Sequence, residues 1–81
     1  MLYVRSYRKS SDDRVYETRS TRFPNIQSAE SDARSRFASD NGIVAVVVAK
    51  PDGTGKYGFQ KRRDILRFER EGSSIRRRSL V

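Results

Sequence analysis

The residues best equipped for chemistry stand together in Lys56-Tyr57-Gly58-Phe59, followed closely by Lys61-Arg62-Arg63. In an extended segment Tyr57 and Phe59 project from one face, flanked by Lys56, Lys61 and Arg62. Flat π surfaces beside phosphate-neutralising charge are what stacks single-stranded bases. The same two rings would also serve as core against a helix, and the pattern leaves both uses open. A second basic cluster, Arg76-Arg77-Arg78 before Ser79, suits nonspecific phosphate contact, phosphorylation or a solubilising chain end.

Other chemistries find little support. The chain has no histidine and no cysteine, which removes thiolate nucleophiles, Cys/His metal sites, disulfides and the imidazole base of hydrolases. Gly53-Thr54-Gly55-Lys56 superficially suggests a phosphate loop. That loop needs glycine where Lys50 stands, Ser or Thr where Tyr57 stands, and a strand-to-helix setting, so a hairpin turn is the better reading. Pro51-Asp52 lacks the Glu-x-Lys that would complete a nuclease metal site. Asp52, Asp64, Glu69 and Glu71 show no paired spacing and read as solvated charge. Binding without catalysis, cofactor or metal is expected.

The charge balance favours an anionic partner. Eighteen Lys and Arg against ten Asp and Glu give +8, and the excess is uneven: residues 1–40 carry +2 and residues 41–81 carry +6. Arginine outnumbers lysine 14 to 4, and its planar fork suits phosphates, carboxylates and aromatic faces.

Positioning these groups falls to a thin core. The chain has 81 residues, 35% apolar and 35% charged, with a mean hydropathy of -0.84, enough for one small domain. Leu2 to Tyr7 alternates as a strand, Ser10-Ser11-Asp12-Asp13 offers a turn, and residues 14–23 read as a polar return strand ended by Phe23-Pro24-Asn25. Ile26, Ala29, Ala33 and Phe37 form a helical stripe. Ser28 is the expected N-cap, Glu30 and Asp32 the acidic first turn, and Asp40-Asn41-Gly42 the stop, with Gly42 free for positive φ. Ile43-Val44-Ala45-Val46-Val47-Val48-Ala49 predicts a central strand covered on both faces, the second by the C-terminal segment or a second copy of the chain. Residues 50–55 predict the hairpin turn and residues 56–60 its return strand. Asp64 to Glu71 suits a strand with Leu66 and Phe68 inward better than a short helix. The expected class is α+β, a four- to five-stranded mainly antiparallel sheet with one helix on one face in ββαββ order. Residues 1–71 form the domain and residues 72–81 a flexible basic tail. No apolar run is long enough to span a bilayer and the N-terminus lacks an apolar leader core, so a cytoplasmic protein with no membrane partner is expected.

Two resemblances extend this reading. Leu2-Tyr3-Val4 and Lys56-Tyr57-Gly58-Phe59 are similar to the two ribonucleoprotein motifs of the RNA recognition motif family, which implies bases stacked on Tyr3, Tyr57 and Phe59. Gln60 and Lys61-Arg62 depart from that family's continuation. The layout over residues 2–70, two strands, an alanine-striped helix, an apolar strand and its hairpin partner, resembles small phage-encoded accessory proteins of the anti-CRISPR type. That likeness implies arginine faces directed at a defence complex or its nucleic acid. The candidate binding residues are Tyr3, Arg5, Lys56, Tyr57, Phe59, Lys61, Arg62, Arg63, Arg76, Arg77 and Arg78. The expected partner is nucleic acid or a nucleoprotein complex. The alternatives are a host protein target blocked by protein contacts, and self-association into a homodimer through Val44 to Val48.

Overall fold

The computed structural model describes residues 1–18 and 20–81. Its centre is β4 (Ile43–Thr54), where β-branched residues favour extended backbone and carry the apolar run into the middle of the sheet. β1 (Leu2–Lys9) pairs on one side of it and β5 (Gln60–Glu71) on the other, both antiparallel. β6 (Ser74–Ser79) continues outward from β5. On the opposite edge, β2 (Val15–Glu17) and β3 (Thr21–Phe23) both pair with β1, and α1 (Ile26–Ser39) crosses one face. The fold is α+β as expected, but among the described residues it has six strands in the order βββαβββ rather than four or five in ββαββ.

Two departures account for the difference. The return strand is broken: between Tyr7↔Glu17 and Val4↔Thr21, β1 advances three residues and its partner four, and Thr18 turns its hydroxyl to accept the Ser6 amide at 3.2 Å. Residue 19 of that expected strand lies outside the described residues. At the other end, residues 74–79 of the expected flexible tail form β6. Their apolar content is low, but edge pairing is made by backbone hydrogen bonds and three of the side chains find distant carboxylates. Arg76 meets Glu71 at 3.3 Å, Arg77 meets Glu30 at 2.9 Å and Arg78 meets Glu69 at 3.5 Å. Arginines on an edge strand also oppose pairing with another chain.

The helix starts one turn sooner than expected. Asn25, not Ser28, is the N-cap: its side chain accepts the Ser28 amide at 2.9 Å, and the turn after Pro24 leads straight into the helix. Glu30 and Asp32 therefore fall beyond the first turn, where Asp32 pairs with Arg36 at 2.7 Å. Ala29, Ala33 and Phe37 pack on Val4, Val46, Val48, Ile65, Leu66 and Phe68, the small alanines letting helix and sheet approach closely. The helix end is closed by Arg70, whose guanidinium donates to the carbonyls of Phe37 at 2.8 Å, Asp40 at 3.1 Å and Ile43 at 3.0 Å. Gly42 is not among the residues with positive φ; its amide donates to the Asp40 carboxylate at 2.9 Å.

The apolar part of β4, residues 43–49, is covered on both faces, as expected, by a different means. Ala45, Val47 and Ala49 face away from the helix yet are at most 2% exposed within the single chain. Their cross-strand neighbours on that face are Tyr7 and Glu69, Arg5 and Arg67, and Tyr3 and Asp64, long side chains that lie over small ones. Neither the C-terminal segment nor a second copy is needed as the cover, so the burial argument for a homodimer falls away.

Candidate nucleic-acid interface

Beyond Ala49 the sheet narrows to two strands. From Lys50 to the end of β4, and through Arg63 of β5, every residue except half-buried Gly55 is exposed. This ribbon is an arm. The five residues closing β4 give it a length of roughly 17 Å before its turn, at about 3.3 Å per residue.

The arm is built by bulges and glycines. Val48↔Leu66 is followed by Ala49↔Asp64, so Ile65 is an extra residue on β5, and consecutive Ile65 and Leu66 both enter the core. Further out, Pro51↔Arg62 is followed by Thr54↔Gln60, which leaves an extra residue on β4 where Gly53 has φ 77°. Pro51-Asp52-Gly53 is thus a bulge within the arm, not the expected hairpin turn. The chain reverses later, through residues 55–58, with Gly58 at φ 80° and its amide donating to the Gly55 carbonyl at 3.1 Å. Residues 56–60 are consequently not a return strand; β5 begins at Gln60.

This shift decides the position of the rings. Tyr57 lies in the turn and Phe59 just after it, 80% and 75% exposed, so neither is core and they do not share a strand face. Lys56 Nζ sits 5.9 Å from the Tyr57 ring centroid. The segment 50–63 holds Lys50, Lys56, Lys61, Arg62 and Arg63 against Asp52 alone, a net +4 out of the chain's +8.

The arm's root is fastened to the sheet. The Arg62 guanidinium stacks 3.7 Å from the Tyr3 ring centroid and donates to Ser20 Oγ at 3.3 Å. Tyr3 donates its hydroxyl proton to Gln60 Oε1 at 2.7 Å. Arg5 donates to both Asp64 oxygens at 2.9 and 3.0 Å and lies 3.9 Å from Glu17. Tyr3 is therefore 6% exposed under Arg62, not an open platform beside Tyr57 and Phe59, and the charge of Arg5 is matched locally.

Of the eleven candidate residues, the structure unites Lys56, Tyr57, Phe59, Lys61, Arg62 and Arg63 on the arm, places Tyr3 and Arg5 beneath its root, and sets Arg76, Arg77 and Arg78 apart on β6. Sequence reasoning missed Arg22, Ser20 and Thr21, which with Tyr3 and Arg62 line an open cleft of about 530 Å³ beside the root. Only the register Tyr3↔Arg22 brings them there. Among the described residues no three His, Cys, Asp or Glu side chains gather as a metal site, and no helix is long and apolar enough to cross a membrane. Comparison with known protein families, curated proteins and solved structures finds no match to this chain.

Proposed function

We propose that this chain is a non-catalytic binding protein that engages nucleic acid, alone or within a nucleoprotein complex, through the β4–β5 arm. The observation that carries this reading is the arm itself: a two-stranded ribbon, exposed on both faces, with net +4 and two open aromatic rings at its end. A two-stranded ribbon fits the major groove of a duplex, and exposed rings beside lysines suit unpaired bases. Arg76, Arg77 and Arg78 contribute less, because each already has a carboxylate partner.

Fluorescence anisotropy with labelled single- and double-stranded 20-mers tests it. If the arm's five cations each met one phosphate, log affinity would fall by about 3.5 to 4.5 per log unit of salt. Binding indifferent to salt at low ionic strength contradicts the proposal.

A second reading is inhibition of a host enzyme or defence complex by protein contacts. Exposed Tyr57 and Phe59 beside Arg62 and Arg63 favour it, since aromatic and arginine anchors dominate protein interfaces. Tight, salt-tolerant capture of a protein target without nucleic-acid affinity would select this reading.

A further inference from the structure

Ten described cations form ion pairs with carboxylates, whereas Arg22 and Arg62 have none among the described residues although both approach the same ring, at 5.8 and 3.7 Å from the Tyr3 centroid. We propose that the cleft bounded by Arg22, Arg62, Ser20 and Thr21 is a phosphate-binding site, seating one phosphate group at the root of the arm.

The hydrogen-bond inventory of the cleft points to an anion. Ser20 Oγ accepts from Arg62 at 3.3 Å, whereas Thr21, paired with Val4, turns its hydroxyl to Arg36 on the helix side and away from the cleft. The Ser20 hydroxyl, having accepted from a guanidinium, retains its own proton to donate. Arg22 and Arg62 have only donors to offer, and the Tyr3 proton is committed to Gln60. The described lining therefore presents two positive charges and one hydroxyl donor, with no carboxylate among them. A phosphate supplies acceptor oxygens for this donor set, relieves the repulsion between the guanidiniums and matches their planar forks. The volume, about 530 Å³, accommodates a phosphate with its attached sugar.

The inference rests on the nucleic-acid reading only for the source of the phosphate, which there is the backbone of a strand running from the arm across the sheet edge. A free phosphate compound would use the same donors.

The test is a titration of isotopically labelled protein with inorganic phosphate, followed by NMR at ionic strength held constant with sodium chloride. Saturable shifts of the Thr21 and Arg22 amides and the Arg62 side-chain N–H are expected. Arg22→Gln, at an exposed edge position, should weaken this binding about tenfold or more, and Ser20→Ala by a smaller factor. In oligonucleotide binding, Arg22→Gln should also lower the salt slope by about 0.7 to 0.9. No saturable shift, or equal affinity in wild type and both variants, overturns the site. Phosphate binding that needs Arg22, in a protein with no oligonucleotide affinity, keeps the site with free phosphate as its ligand and removes the nucleic-acid reading instead.

Discussion

Replacing Phe59 with alanine separates recognition from folding. The ring is 75% exposed, so about a quarter of its surface is withdrawn from water. Full burial of such a side chain contributes about 1.5 to 3 kcal/mol, which puts the folding cost of Phe59→Ala at roughly 0.4 to 0.8 kcal/mol. For a domain of this size about 1 kcal/mol moves the melting temperature by about 4 to 8 °C, so a shift of at most about 6 °C is expected. Phe37 and Phe68, at 1% and 0% exposure, set the contrast. Truncating either should cost about 3 to 5 kcal/mol, a large share of the 4 to 12 kcal/mol or so that stabilises a chain of this length. In binding, a stacked base contributes about 1 to 3 kcal/mol, so Phe59→Ala should weaken single-stranded DNA by roughly 5- to 150-fold. Circular-dichroism melting and anisotropy titration on the same samples measure both quantities. A melting temperature lowered by more than about 10 °C would show the ring to be structural. An unchanged melt with unchanged DNA affinity would refute stacking and move the assignment toward a protein partner.

Three further outcomes follow from the fold. Arg70→Ala should destabilise the domain by about 2 to 4 kcal/mol in urea unfolding, because it strips the helix-end carbonyls of Phe37 and Asp40 and the Ile43 carbonyl at the start of β4 of a charged donor; loss below about 0.5 kcal/mol would mean water replaces it freely. Gly58→Ala should cost about 1 to 2 kcal/mol from its positive φ, with Gly58→Asn milder; hydrogen exchange should quicken in arm amides while the core strands keep their order of protection. Asp64→Asn should free Arg5 and loosen the arm's root, seen as faster exchange at residues 60–64 and little change at β6.

The parts of the molecule legible in the sequence are those whose side chains report their own surroundings. Ala29, Ala33 and Phe37 repeat at helical spacing because one helix face is buried. Val46 and Val48, with Leu66 and Phe68, mark the inward faces of the two longest strands. β6 was hidden because its pairing uses backbone groups and its arginines find carboxylates as distant as Glu30. Pro51-Asp52-Gly53 carries the residues of a turn but is spent on a bulge, and Gly55 and Gly58 close the loop instead. That displacement puts Tyr57 and Phe59 at the end of an arm, an outcome composition alone could not settle. Strand registers alone bring Arg22 to Tyr3 and carry Arg62 across β4, so the cleft was invisible along the chain.

The most direct test compares the salt dependence of oligonucleotide binding for wild type, for Lys56→Gln/Lys61→Gln/Arg63→Gln, and for Arg76→Gln/Arg77→Gln/Arg78→Gln. Arg62 is kept because it packs on Tyr3. Three cations leave in each variant, but those of the arm have no carboxylate partner among the described residues while those of β6 each have one. If the arm is the binding element, its variant should lose about 2.1 to 2.7 from the slope of log affinity against log salt, and the β6 variant should retain most of the wild-type slope. An unchanged slope in the arm variant, or a larger loss from β6, would contradict binding through the arm.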